Sequence, residues 1–299
     1  MKTSIIDVGT ISIKHFIFNG KRQIYFFRDS TIKLGATISG NNLDEDRMNA
    51  ALTFIKAELD KDAAQKVDKA IICGTDAIRK AANSHVFIDL LKKQTGLDLK
   101  VITHDDESLL FGKGLSRVAP DEFAAFAAGG GSFEAIIFKD GKWHSFKFPF
   151  GINRLYEFLK DDYEKGVFNN RDSWNRLKRF LTGEIDKAFS GHEYLSVDIA
   201  FLSSVLTFIT AQKDIIKKGF EKSTIEEHPI FLYVDDYESA LQKLIDAGVQ
   251  KLRENYSSDP NFADHSAIAQ TFYLLLARKL GVKKVYPSEF QYVHGLLES

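Results

Sequence analysis

The chain has one cysteine in 299 residues. One thiol cannot close an internal disulfide, so the covalent framework asks for no oxidising compartment. Cys73 ends the apolar run Ala70-Ile71-Ile72-Cys73 and reads as a core residue rather than a nucleophile. Charge excess is also lacking. Lys and Arg number 40 against 41 Asp and Glu, a formal net charge of −1. That balance gives no footprint for nucleic acid or an anionic membrane surface, and neither partner is expected. No apolar run approaches the ~18 residues of a membrane helix. The opening Met1-Lys2-Thr3-Ser4 reaches Asp7 after a short apolar step, unlike a secretory leader. A soluble, cytoplasmic protein is expected. Low-complexity tracts and long linkers are missing. The histidines (His15, His85, His104, His144, His192, His228, His265 and His294) share no metal-ligand spacing.

What is present is an ordinary globular balance, 44% hydrophobic and 27% charged, with length for two domains. The 25 phenylalanines read as core packing rather than base stacking. Alternation and turn residues predict strands at 4–9, 13–18, 23–28, 69–74 and 98–103. Helices are predicted at 44–59, capped by Asn42, at 76–95 and at 105–115. After Pro120 the pattern restarts, with strands at 123–128, 133–138 and 143–148. Helices then dominate, near 153–163, 171–188, 204–221, 236–255 and 262–280. Short strands near 197–202 and 230–233 interrupt them, and 287–298 reads as a closing helix. The boundary is placed near 117–121, where Pro120-Asp121 breaks the helical pattern.

The restart is a repeat. A shift of 120 positions lays Gly9 on Gly129, Ser12 on Ser132 and Phe16-Ile17-Phe18 on Ile136-Ile137-Phe138 without a gap. The turn Asn19-Gly20-Lys21 falls within one residue of Asp140-Gly141-Lys142. Each copy reads strand, glycine loop, strand, tight turn, strand. Glycines let the backbone approach closely, and exposed N–H groups at such loops suit phosphate oxygens. The copies differ in charge: Asp7 falls on Ala127, and Lys14 on Glu134. Any metal site is therefore asymmetric.

Six motifs in order resemble one family. Asp7-Val8-Gly9-Thr10-Ile11-Ser12 resembles a first phosphate loop, and Lys33-Leu34-Gly35 an Arg-Leu-Gly. Gly74-Thr75-Asp76-Ala77-Ile78-Arg79, running on to Asn83, resembles Ala-Thr-Ser-Ala-Leu-Arg-x-Ala-x-Asn. Thr95-Gly96-Leu97 followed by Val101-Ile102-Thr103 and Asp106-Glu107 resembles the stretch carrying a catalytic glutamate. Gly129-Gly130-Gly131-Ser132-Phe133-Glu134 resembles a second phosphate loop, and Pro149-Phe150-Gly151-Ile152-Asn153-Arg154-Leu155 a Pro-x-Gly-x-x-Arg-Leu. Together they resemble the exopolyphosphatase/guanosine pentaphosphatase family, a branch of the actin, hexokinase and heat-shock chaperone superfamily. The likeness is good over about 1–160 and weak beyond.

The resemblance implies an α/β chain with a two-lobed, actin-like (ribonuclease H-like) duplicated fold and an interlobe cleft. Lobe I would span 1–120, with the C-terminal helix 287–299 packing back on it, and lobe II 121–286. It implies a metal-dependent phosphoanhydride hydrolase using Mg2+ or Mn2+ on polyphosphate or guanosine pentaphosphate, and leaves room for a homodimer. Glu107 would be the catalytic base, or merely part of the acidic helix start Asp105-Asp106-Glu107. Asp7 and Glu134 would hold metal, although Glu134 also reads as an outward strand residue. Gly9, Thr10, Ser12, Gly129, Gly130, Gly131 and Ser132 would cradle phosphate, or the second set would be a plain hairpin. Arg79, and similarly Arg154, would bind phosphate or form a salt bridge along its helix.

Departures from the family pattern motivate an alternative, an inactive phosphate- or nucleotide-binding regulatory module. Ala127 replaces an aspartate, Ile11 an asparagine, and Leu109 an arginine. Leu202-Ser203-Ser204-Val205 lacks expected glycines, and Gln291-Tyr292-Val293-His294-Gly295 keeps only the last residue of a Gly-x-Arg-Glu-Gly. His104 stands where the family often has glycine. A sugar or acetate kinase of this fold is weaker still, for want of the glycines near 202–205.

Overall fold

The apolar runs around Ile5-Ile6 and Phe16-Ile17-Phe18 become paired strands buried on both faces, since consecutive residues in each are fully buried. The computed structural model describes residues 1–35, 42–164 and 171–298. Residues Met1–Glu107 form one compact unit and Ser108–Glu298 another.

The first unit contains β1 (Lys2–Val8), β2 (Ile13–Asn19), β3 (Arg22–Asp29), α1 (Glu45–Ala64), β4 (Lys69–Gly74), α2 (Asp76–Lys80), α3 (Ser84–Thr95) and β5 (Leu99–Val101). Its sheet runs β3-β2-β1-β4-β5. The first three strands pair antiparallel, and β4 and β5 join parallel. Helix α4 (His104–Ser116) begins in this unit and continues into the second.

The second unit opens with β6 (Phe123–Ala128), β7 (Phe133–Lys139) and β8 (Lys142–Phe148), then α5 (Ile152–Glu164) and α6 (Arg171–Ala188). After β9 (Ile199–Leu202) come α7 (Leu206–Ala211), α8 (Lys213–Ile216), β10 (Glu221–Lys222) and β11 (Ile230–Tyr233). Helices α9 (Val234–Asn255) and α10 (Pro260–Lys279), strand β12 (Lys284–Pro287) and the single turn α11 (Tyr292–Gly295) complete it. The sheet runs β10-β11-β12-β9-β6-β7-β8. Its β8-β7-β6-β9-β12 portion repeats the first sheet, three antiparallel strands followed by two parallel ones. No helix among the described residues is long and apolar enough to cross a membrane.

Several boundaries differ from the sequence reading, for physical reasons that the structure shows. Helix α1 is capped by Asp44, whose carboxylate accepts from Arg47 N at 3.0 Å, rather than by Asn42. The helix expected over 76–95 breaks after Lys80 because Asn83 clamps the Leu43 backbone at 2.7 and 3.0 Å. That tertiary pair outweighs helix propensity. The helix expected over 204–221 is shortened by positive φ at Ser204, Lys217 and Gly219 (62°, 59° and 100°), and Gln212 divides what remains into α7 and α8. The closing helix expected over 287–298 is the last residue of β12, an irregular stretch over 288–291 and the single turn α11. Val285 and Tyr286 are buried in the sheet, and α11 presses on α4 where a Cβ on Gly295 would overlap the Leu110 carbonyl.

Most of the phenylalanines read as core are packed as such. Phe133 lies 4.6 Å from Phe272 and 5.7 Å from Phe150, ring centre to ring centre. Each such buried ring contributes roughly 1.5–3 kcal/mol. In the first unit, His15 ties β2 to α1. Its Nδ1 lies 2.7 Å from Glu58 and its Nε2 2.9 Å from Asp62, all three buried.

Two histidines of the second unit, His228 and His294, are buried. His228 bonds Ser288 at 2.7 Å, and His294 stacks on Phe290 with ring centres 4.3 Å apart. Burial pushes His228 down to about 4 and His294 to about 3, with Arg117 opposing their protonation further. Unfolded, both take protons below about pH 6.5; folded, they resist. Stability is therefore complete above pH 6.5 and declines as pH falls toward 3–4. Each proton that the folded chain refuses costs about 1.4 kcal/mol for every pH step, so the pair loses on the order of 5 kcal/mol by pH 4.5. Urea unfolding between pH 8 and pH 4.5 is expected to show a falling midpoint, flattened in a His228→Gln, His294→Gln double variant.

Candidate active site

The two glycine loops have the same backbone form. Gly9 N donates to Ser12 O at 3.1 Å, and Gly129 N to Ser132 O at 2.9 Å. A Cβ would meet the same serine carbonyl at 2.9 Å in the first loop and 3.1 Å in the second. Each loop is then held by the segment after the third strand of its unit. Gly35 N donates to Thr10 O at 2.9 Å. Ile152 N and Asn153 N donate to Gly129 O and Gly130 O, each at 3.0 Å. Thr10 and Ser12 are buried, Gly130 is buried, Gly9, Gly131 and Ser132 are half-buried, and Gly129 is exposed.

The strands leading into the loops pair with the same register, Asp7 opposite Lys14 and Ala127 opposite Glu134. Asp7, 2% exposed, accepts from Lys14 Nζ at 3.2 Å. Glu134, 4% exposed, accepts from the Ser108 hydroxyl at 3.0 Å, so it is an inward strand residue rather than an outward one. Cys73 pairs with Asp7 across β1 and β4. Burial first, and the Asp7 charge second, raise its thiol to about 12, which suits a core residue and not a nucleophile.

Arg79 gathers the remaining polar groups of the first unit. Its Nη1 donates to Ile102 O and, at 2.9 Å, to Glu107 Oε2. Its Nη2 lies 3.0 Å from His104 Nδ1 and 3.6 Å from Asp76 Oδ1. Glu107, 24% exposed at the side chain, stands on the first turn of α4. Arg154 projects from α5 into solvent. Asp76 and Ser108 were not singled out by sequence. The i,i+3 spacing of Asp76 to Arg79 was the available sign for one. Nothing in the periodicity marks Ser108, whose partner lies 26 residues away. The loop Leu202-Ser203-Ser204-Val205 keeps a left-handed residue, Ser204, without a glycine.

Gly151 tests how closely the second loop is clamped. A Cβ there would stand 2.5 Å from the Gly130 carbonyl carbon and 2.6 Å from Gly129 O, both backbone. Gly151→Ala is expected to destabilise the protein by about 1–3 kcal/mol in urea unfolding. A wild-type midpoint would mean that the loop moves aside freely.

By sequence, no curated protein matches the chain. Solved structures do match. A Ppx/GppA family member from Aquifex aeolicus is 20% identical with a TM-score of 0.76, covering 99% of this chain and 96% of that one. An exopolyphosphatase from Cytophaga hutchinsonii is 19% identical with a TM-score of 0.77, covering 100% and 97%. The ethanolamine utilization protein EutJ from Carboxydothermus hydrogenoformans is 10% identical with a TM-score of 0.50, covering 99% and 88%. These likenesses show the duplicated actin-like fold, as the paired sheets do. The model of the Ppx/GppA phosphatase family matches residues 17–239, most of the length, and the chain belongs to that family.

Proposed function

We propose that the protein is a metal-dependent phosphoanhydride hydrolase acting on polyphosphate or guanosine pentaphosphate. The observation that carries the reading is Glu107, a partly exposed carboxylate held on the first turn of α4 by the Arg79 guanidinium at 2.9 Å. A carboxylate so placed can orient a water and take its proton as the oxygen attacks the terminal phosphorus. The bond from phosphorus to the bridging oxygen breaks, releasing orthophosphate and a chain one unit shorter. The N–H groups of the Gly9–Ser12 and Gly129–Ser132 loops are the proposed phosphate cradles, since phosphoryl transfer rests largely on positioning and charge stabilisation.

Asp7 and Glu134 offer hard carboxylate oxygens, the donor type that Mg2+ and Mn2+ prefer. Each suits such an ion by donor type, and at Asp7 the Lys14 ammonium already supplies a positive charge 3.2 Å away. When bound, the ion would neutralise phosphate charge.

Glu107→Gln keeps size and removes the base. Phosphate release from either substrate with Mg2+ or Mn2+ is expected to fall about 10²–10⁴-fold. Purified wild-type protein that releases no phosphate from either would remove the hydrolase reading. One observation favours the alternative, a binding module without turnover: the β6 residue paired with Glu134 is Ala127, so that strand brings no carboxylate to it. Ala127→Asp is expected to tighten Mn2+ binding by roughly 10-fold or more in calorimetry. The module reading further requires that wild type be stabilised by these ligands without hydrolysing them.

A further inference from the structure

The Arg79 guanidinium is almost wholly engaged by its own unit, with 13% of the side chain exposed. Nη1 is turned to Ile102 O and Glu107. Nη2 faces the His104 ring, 3.0 Å from Nδ1 and 3.3 Å from Nε2. Nε has no hydrogen-bond partner among the described residues. A guanidinium grips a phosphate best through two parallel N–H groups. With Nη1 committed, the remaining edge is Nε with Nη2; Nε is buried, and His104 covers Nη2.

The partners differ in strength. Glu107 is a charged acceptor, and Ile102 O belongs to the backbone. Asp76 is shared with Lys80, which reaches its other oxygen at 2.8 Å. A phosphate oxygen is an ionised acceptor and binds a guanidinium more strongly than an imidazole nitrogen does. His104 stands at the first position of α4 with 35% of its side chain exposed, and its Nε2 also lies 3.5 Å from Asp76 Oδ1, a contact that a displaced ring gives up.

We propose that His104 is a positioning residue that latches Arg79, holding its Nη2 so that a phosphate must displace the ring to use the guanidinium. The anion's identity rests on the phosphoanhydride reading; the latch is a matter of the first unit's own geometry. Its consequence is a raised threshold for polyanion binding, set by one side chain.

The test is calorimetric binding of inorganic tripolyphosphate to wild type, His104→Gly, His104→Gln, Arg79→Lys and the double variant His104→Gly/Arg79→Lys. His104→Gly is expected to bind about tenfold more tightly, the scale of one charge-assisted hydrogen bond released. His104→Gln keeps an acceptor and should stay near wild type. The double variant should lose the gain, which a merely structural role for His104 would not produce. His104→Ser replaces His104→Gly if the latter does not fold. Equal affinity of wild type and His104→Gly overturns the latch, as does a gain that survives in the double variant. Phosphate release from the same ligand is followed in parallel. Binding with the tenfold ratio but no release from tripolyphosphate or from guanosine pentaphosphate with Mg2+ or Mn2+ keeps the latch and removes the hydrolase reading. Release without the ratio does the reverse. Binding by none of the variants overturns both.

Discussion

Two short backbone contacts set the rest of the molecule in place. At Gly9 and at Gly129 the chain turns so tightly that its own N–H reaches a carbonyl three residues on, at 3.1 and 2.9 Å, where a Cβ would crowd that carbonyl. The turn determines the register of the strands on either side, because a hairpin's loop length fixes which residues face each other. Asp7 therefore meets Lys14, and Ala127 meets Glu134. A residue inserted into either loop would turn every side chain of the following strand to the opposite face of the sheet. The closure of each loop by the segment around Gly35 or Gly151 adds backbone hydrogen bonds to carbonyl groups of the loop, so the form of the loop is carried by main chain throughout.

Because the form is main chain, it was legible in sequence wherever glycine is obligatory. The 120-residue shift found the paired loops and the six strands around them without a gap. Reading failed where side chains far apart in sequence decide the backbone. The break between α2 and α3 depends on Asn83 binding Leu43, 40 residues earlier, and no helical period records that. Strand β12 carries no signal in the sequence because its four residues are too few for alternation to show; it is a strand because β9 and β11 flank it. In the candidate site, the residue types were visible and their partners were not. Arg79 and Glu107 were each given a chemical role and a bland one. The structure shows them bonded to one another across 28 residues, a relation that neither role had contained.

The pseudo-symmetry also explains how a carboxylate is kept at each of two buried positions. A buried ionised carboxylate is costly unless it is paired or hydrogen-bonded. In the first copy the hairpin partner of Asp7 is a lysine, which answers the charge directly. In the second copy the register sets Glu134 between Ala127 on β6 and Lys147 on β8. The hydroxyl of Ser108 comes from α4 to one of its oxygens. The strand that leads into the first loop thus carries its own acid, neutralised within the hairpin. The strand that leads into the second carries none, and the acid stands on the strand that leaves it. One backbone form therefore delivers its carboxylate from opposite sides of the loop in the two copies.

Ser204 separates two kinds of departure from the family pattern. Its φ of 62° retains the left-handed turn after β9 that glycine would adopt without strain, and for a serine this costs about 1–2 kcal/mol. The surrounding hydrogen bonds, from Ser203 N to Phe126 O and from Val205 N to Ser288 O, hold the backbone in that form. A lost glycine is therefore offset by the fold, and its geometry survives. A lost side chain has no such remedy: at Ala127 the strand and register persist, and the carboxylate does not. At Ser204 the substitution bears chiefly on stability, while at Ala127 it bears on which functional groups the strand can offer.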